Sequence, residues 1–252
     1  MTAPDLYNEL AEHYHLIYAD WEQSIQRQAA ALDTIFRQYL GPGPHRIADV
    51  SCGIGTQALG LAQLGHHVSA SDVASASVTR ARREATRRGL AIDFAVAHMR
   101  TCAAQHRPPV DIVLSADNSV PHLLTDDDIL TAFRAFFHCT RPGGLVVVTV
   151  RDYAAEDQTS PQLRPYGVRK TLNARHAVFQ IWEWSGNHYD TSLYIVTDDD
   201  SEAVRTVVGR SRYYAVPIDT LLSLLTSAGF IGAHRLDGTF FQPVLVARRP
   251  EA

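Results

Sequence analysis

The stretch RIADVSCGIGTQALGLA, residues 46–62, decides how this chain is read. A short apolar run ends on an acid, Asp49, and breaks into a loop carrying Gly53 and Gly55. Apolar residues then return at helical spacing. Strand, glycine-rich turn and helix start, in that order, leave backbone N–H groups pointing outward where a ligand can approach bare main chain. An acid about twenty residues further on, at the end of the next apolar run, matches the two hydroxyls of a ribose. Asp72, in VSASDVA, stands there. The loop is therefore expected to hold an adenosine-type cofactor.

Two ligand classes share this pattern, the nicotinamide dinucleotides and S-adenosyl-L-methionine. Asp49 separates them. A carboxylate four residues before Gly53 repels a pyrophosphate, whereas S-adenosylmethionine lacks phosphate and carries an ammonium and a sulfonium. The last two apolar runs, IGAHRLD (231–237) and FFQPVLVARR (240–249), are close enough to form a hairpin. That departs from the parallel sheet of nicotinamide enzymes.

Around the loop, strand and helix patterns alternate. RIADVS, HHVSASD, AIDFAVA, VDIVLSAD and RPGGLVVVTV read as buried strands. TQALGLAQLG, ASVTRARREATRRGL and TDDDILTAFRAFFHCT read as helices, the first two stopped by Gly65 and Gly89, the third capped by Thr125. This predicts an α/β fold: a doubly wound, mostly parallel, seven-stranded sheet with an antiparallel strand in the C-terminal hairpin. After Arg151 the pattern changes. A loop marked by Pro161, Pro165 and Gly167 precedes VRKTLNA, HAVFQIWEWSG, HYDTSLYIVT and AVRTVVGRSRYY, which read as an antiparallel β insertion. The expected organisation is an N-terminal helical cover (1–45), a cofactor-binding core (46–151), a substrate-pocket insertion (152–215) and a return to the core sheet (216–252).

With 252 residues, 46% of them hydrophobic, the chain can build a full core without staples. A net charge of −4 argues against a general nucleic-acid binder. Three cysteines without CxxC spacing suggest neither a disulfide framework nor a cysteine zinc site, and no acidic triplet has metal-ligand spacing. The N-terminus MTAPDLYNELAEHYHLIY lacks a signal-peptide pattern, and LVVVTV is too short to span a membrane. A cytoplasmic protein without membrane or nucleic-acid partners is expected. The arginines of RARREATRR read as a solvated helix face.

The sequence resembles the class I S-adenosylmethionine-dependent methyltransferases, and among them the glycine/sarcosine N-methyltransferase-like group. ADVSCGIGTQALGLA is similar to the first motif of that family, SASDVAS to its ribose acid, and DNSVPHLL to the segment after strand four. RPGGLVVVTVRDY, YYAVPIDTLLSLLTSAGF and the N-terminal YHLIYADWEQSIQRQ resemble further segments. The resemblance implies a Rossmann-like methyltransferase fold and S-adenosylmethionine as cofactor. Ser51, Gly53 and Gly55 would line its methionine and ribose portions, Asp49 would lie near its amino group, and Asp72 would hold the ribose. Val73 and Met99 would pack on adenine, and His98 stands where many relatives have Asp.

Strand ends supply further candidates: Asp117 and Asn118 after strand four, Arg151, Asp152 and Tyr153 after strand five. In the resemblance, Arg151 and Tyr153 match an R-x-Y segment that binds a substrate carboxylate, a group a guanidinium fork suits. The competing role for Arg151 is a strut to Asp152 or a nearby acid. His122 is a candidate general base or a structural histidine closing its loop. Tyr14, Tyr18 and Trp21 read either as a lid or as ordinary helix packing, and Arg27 as a contact for the methionine carboxylate. Trp182 and Trp184 share one strand face with Tyr213 nearby, an aromatic wall for a planar substrate or the underside of the insertion. The expected activity is N-methylation of a small amine or nitrogen heterocycle. The alternatives are O-methylation of a secondary metabolite and non-catalytic cofactor binding. The resemblance also leaves room for a homodimer, since in some relatives the N-terminal segment crosses to a neighbouring subunit.

Overall fold

A computed structural model describes residues 3–106, 109–201 and 203–251. The central sheet has seven strands: β1 (Arg46–Asp49), β2 (His67–Asp72), β3 (Asp93–Val96), β4 (Val110–Ser115), β5 (Thr140–Thr149), β10 (Ile231–Leu236) and β11 (Val244–Arg248). Their order is β10-β11-β5-β4-β1-β2-β3. β11 runs antiparallel to both β5 and β10, and the inner pairs are parallel. The expected mostly parallel sheet with its terminal hairpin is present.

Both sheet faces are apolar, so strand residues alternate between two cores rather than between core and water. Ala48, Val113, Val146 and Val148 pack with α6 (Asp126–Cys139) and α7 (Ile218–Ser227) on one side. Ile47, Ile112, Leu114 and Val147 pack on the other against α2 (Trp21–Leu40) and α3 (Thr56–Gln63). Thr125 accepts the Asp128 N–H and caps α6, as its sequence suggests.

α3 lies so close to α2 that a Cβ on Gly60 would stand 2.5 Å from the Ile25 carbonyl oxygen and 2.6 Å from Ala29 Cβ. Gly60→Val is expected to lower stability by about 3 kcal/mol, read from denaturant midpoints, because two helix backbones must separate to admit it.

A second, four-stranded antiparallel sheet has the order β6-β7-β8-β9. Its strands are β6 (Gln162–Lys170), β7 (Arg175–Ser185), β8 (His188–Asp198) and β9 (Arg205–Tyr214). Here the sequence reading needs correction. β6 begins at Gln162 and runs through Pro165 and Gly167, while residues 171–174 form the turn, closed by Thr171 N–H to Ala174 O at 2.9 Å. Proline is tolerated because β6 is an edge strand, and the pairing register shifts between Pro165 and Gly167.

The sheet carries the N-terminal segment on one face. Leu6 and Leu10 of α1 (Ala3–Leu10) pack with Val178, Leu193 and Ile195. Gly209 on β9 admits this contact, since a Cβ there would meet Leu10 at 2.5 Å. On the same segment's other side stands α4 (Ser75–Arg87), whose Arg82, Arg83 and Arg87 are exposed as a solvated face requires, whereas the side chains of Arg80 and Arg88 are buried. Arg80 reaches the carbonyls of Ala11 and Glu12 at 3.2 and 2.5 Å. Arg88 and Arg87 pair with Glu22, and Arg83 with Glu12. Glu84 gathers Arg80, Arg87 and Arg88. The guanidinium carbons of Arg80 and Arg88 lie 5.4 and 5.3 Å from the Trp21 ring centre. The helix is a latch for the N-terminal segment. Among the described residues no helix is long and apolar enough to cross a membrane.

Candidate functional site

The strand order reverses beside β1, and the carboxyl ends of β1, β2 and β4 open there into a cavity of about 460 Å³. The loop after β1 forms its floor with Val50, Ser51, Gly53 and Ile54. Gly53 has φ +51° and Gly55 +95°, conformations that exclude most side chains. Gly55 itself does not line the cavity. A Cβ on it would press on Leu59 and Ala81 at 3.2 and 3.3 Å, so it seats the helix start against its neighbours.

Asp72 forms the adjoining wall. Its Oδ2 accepts the Gly53 N–H at 2.9 Å and its Oδ1 the Ala74 N–H at 2.9 Å, tying strand end to loop. Burial pushes its carboxyl above the usual range. Asp49 lies at the end of β1, 1% exposed, directly before the cavity-lining Val50 and Ser51. Its Oδ1 accepts the Ser51 N–H at 3.3 Å, while its buried Oδ2 has no partner among the described residues. Burial raises this carboxyl to about 7. An unpaired buried carboxylate oxygen is costly unless a cation completes it.

Val73, His98 and Met99 line a further wall with Arg100, which pairs with Asp128. Tyr7, Tyr14 and Tyr18 supply a roof from the chain's own N-terminal segment. Sequence reasoning missed Tyr7. Its hydroxyl lies 3.0 Å from His122 Nε2 and 3.3 Å from Tyr213 OH, and nothing in a lone tyrosine of an amphipathic helix signals such partners.

His122 lines the cavity but is fully engaged, with Nδ1 at 3.2 Å from Ser211 Oγ. Its ring lies tilted against Tyr213 with centres 3.9 Å apart, and burial depresses its pKa to about 4. Both nitrogens are committed and the ring holds a proton poorly, which favours the loop-closing role over the general base.

A second cavity, about 400 Å³, adjoins the first. Tyr18 and Asp117 line both. Asp117 and Asn118 have φ +57° and +63°, a strained pair that their short polar side chains tolerate. The Asp117 N–H donates to Thr149 Oγ1 at 2.8 Å and the Asn118 N–H to Thr149 O at 3.0 Å, holding the strain in place. Asp117 Oδ2 accepts from Tyr18 OH at 3.3 Å and Oδ1 from Gln242 Nε2 at 3.3 Å. Burial raises its carboxyl.

Arg27 and Arg151 face this second cavity with Glu156 and Tyr166. Arg27 therefore lies across from the first cavity, not within its lining. Arg151 lies over Trp182 at 4.8 Å and its Nη1 is 4.0 Å from Glu156, while Asp152 pairs with Arg235. The buried Arg151 Nε has no partner among the described residues.

Other candidates lie behind these walls. Asn118 donates to Tyr153 OH at 2.8 Å and accepts the Arg151 N–H at 3.0 Å, leaving its amide occupied. Tyr153 also meets Tyr189 OH at 3.2 Å. Trp182 is 1% exposed, between Arg151, Arg164 and the stacked Tyr189. Tyr213 stacks on Tyr189 at 5.0 Å and Trp184 lies tilted against it at 4.9 Å, and neither lines either cavity. The aromatic wall exists, but as the support beneath Arg151 and His122. Trp21 likewise lies off both cavities, its indole N–H bound to Thr56 Oγ1 at 2.9 Å.

The cavity walls, the orphan Asp49 oxygen beneath them and the glycine loop stand within the segment that known proteins match. Residues 47–144 match the model of a methyltransferase domain. Ubiquinone biosynthesis O-methyltransferases of Methylocella silvestris and Maricaulis maris are 35% and 31% identical over 101 and 105 residues. Each alignment covers 40% of this chain and 38% or 39% of the relative, so only that share of the relatives' length is spanned. Among solved structures, DesVI of Streptomyces venezuelae has a TM-score of 0.83 at 19% identity, covering 95% of this chain and 98% of that one. The sugar N-methyltransferase KedS8 from a Streptoalloteichus species follows at 0.80 and 19%, covering 96% and 94%. At such identities the likeness establishes the methyltransferase fold, insertion included.

Proposed function

We propose that this chain is a methyltransferase that uses S-adenosyl-L-methionine to methylate a nitrogen of a small molecule. The observation that carries the reading is the meeting of the two cavities at Tyr18 and Asp117. The first fits the cofactor: Asp49 Oδ2 would complete its shell on the amino group, and Asp72 would take the ribose hydroxyls. When bound, the cofactor supplies a methyl group already activated on sulfur. Little is then asked of the protein beyond alignment and exclusion of water. Tyr7, Tyr14 and Tyr18 close the roof, and Arg151 with its free Nε would bind an anionic group of the acceptor.

Nitrogen is favoured over oxygen because, among the described residues at the junction, the proton acceptor is the Asp117 carboxylate, which takes a proton from an ammonium far more readily than from a hydroxyl. His122 is depressed and occupied, whereas an amine brings its own lone pair. Asp117, its carboxyl raised by burial, would attract the ammonium form and accept its proton. The name of KedS8, a sugar N-methyltransferase, points to nitrogen, and that of CalS10, an amino pentose methyltransferase, to an amino-bearing substrate. The names of the curated relatives point to oxygen, but over 40% of the chain. Fold kinship alone does not choose an acceptor.

Calorimetric titration with S-adenosylhomocysteine, followed in the same cell by sarcosine, an amino sugar and aromatic heterocycles, tests the proposal. Absence of cofactor binding would sink it. Cofactor binding with no heat from any acceptor, and no methyl transfer when S-adenosylmethionine replaces S-adenosylhomocysteine, would favour a binding protein. Asp117→Asn is expected to lower amine turnover about a hundredfold, with a smaller change in cofactor affinity. Equal loss in both would make Asp117 a cofactor contact only.

A further inference from the structure

The wall of the first cavity carries His98, and its hydrogen bonding fixes which way the ring can act. His98 Nδ1 accepts the Arg100 N–H at 3.1 Å, capping the short turn Met99–Thr101. An amide hydrogen pointing at Nδ1 requires a lone pair there, so in the neutral ring the proton sits on Nε2. Nε2 has no hydrogen-bond partner among the described residues, and His98 lines the cavity with Val73 and Met99. Burial and the neighbouring Arg100 lower its pKa, which keeps the ring neutral.

We infer that His98 reads the purine of the cofactor as a hydrogen-bond donor, through Nε2–H to a ring nitrogen, and not as an acceptor from the 6-amino group. This rests on the S-adenosylmethionine reading above. A carboxylate at the same place could only accept, so the histidine inverts the polarity of the contact. The base would then be recognised by one of its lone pairs, and the amino group would not be sensed there.

The test compares binding of S-adenosylhomocysteine with its 1-deaza, 3-deaza, 7-deaza and 6-desamino analogues, in the native protein and in His98→Asn. Asparagine keeps an acceptor for the Arg100 N–H but is too short to replace Nε2. One deaza analogue is expected to bind about three- to tenfold more weakly than the parent, and that difference to vanish in His98→Asn. A loss confined to the 6-desamino analogue and coupled to His98 would overturn the inference, as would no coupling to any position. Failure of S-adenosylhomocysteine itself to bind would instead sink the cofactor reading. Independently of any ligand, nitrogen NMR of the labelled protein, assigned by the signal lost in His98→Asn, should show the Nε2–H tautomer. A protonated Nδ1 would refute it.

Discussion

Asp49→Asn is expected to weaken S-adenosylhomocysteine binding about a hundredfold while making the ligand-free protein more stable at pH 8. Both effects arise from the same oxygen. Asp49 Oδ2 is buried without a partner, and burial lifts the carboxyl to about 7. With the ammonium group of the ligand in place, the carboxylate would gain a charge-assisted bond that an amide cannot match. Without ligand, the charged form is a buried liability.

The pH dependence follows. Between about pH 4 and pH 7 the folded protein holds a proton on Asp49 that the unfolded chain has released. Ligand-free stability therefore falls as pH rises through that window, and the decline should disappear in Asp49→Asn. Cofactor affinity runs the opposite way, rising toward pH 7 and levelling above it, since binding must expel the proton. Titrations in two buffers of different ionisation heat should find proton release at pH 6 that fades by pH 8, where Asp49 is ionised and the ligand is still an ammonium. A binding curve flat across pH 5 to 9 would remove Asp49 from the site.

Glu84→Ala is expected to cost about 3 kcal/mol and to loosen the N-terminal segment. Its carboxylate, with a side chain 10% exposed, gathers Arg80 and Arg88, each 8% exposed. Burial pushes this carboxyl up, but the hydrogen bonds from Arg88 and Arg87 outweigh it and hold it below its usual value. Its contribution is thus present at neutral pH and fades as the solution is acidified below the ordinary glutamate range. Removing it takes the buried carboxylate from between two buried cations beside Trp21, leaving Arg80 to the Ala11 and Glu12 groups and Arg88 to the exposed Glu22. The readouts are the denaturant midpoint, proteolysis between residues 3 and 20, and cofactor affinity, which should fall as the tyrosine roof opens. Glu12→Ala, at an exposed pair with Arg83, should change all three little.

The sheet was legible because its determinants are local. Apolar strand runs, Gly65 and Gly89 after helices, and Thr125 before one each act within a few residues, as does the loop from Asp49 to Gly55. Asp117 was legible as a strand-end acid. Its membership of two cavities was not, because that depends on Tyr18, 99 residues away. The latch was missed for a related reason. Arg80 and Arg88 look as solvated as Arg82, Arg83 and Arg87 until Glu22 and Trp21 arrive from a distant part of the chain. The aromatic residues of the insertion share a face as alternation requires, but strand periodicity does not say whether that face meets a ligand or Arg151. β6 was misread because proline and glycine usually end strands, and its edge position is a property of the whole sheet.

The roof over the first cavity has a consequence for biosynthesis. Tyr7 and its partner Tyr213 lie 206 residues apart in the chain. At ribosomal speeds of about 5–20 residues per second, α1 waits roughly 10–40 seconds before β9 has been made. Through most of that interval, until β7 and β8 with Val178, Leu193 and Ile195 have been made, Leu6 and Leu10 have no sheet to rest on. A nascent chain would thus carry an amphipathic helix ready for a chaperone, and would acquire its ligand-binding cavity only near the end of translation.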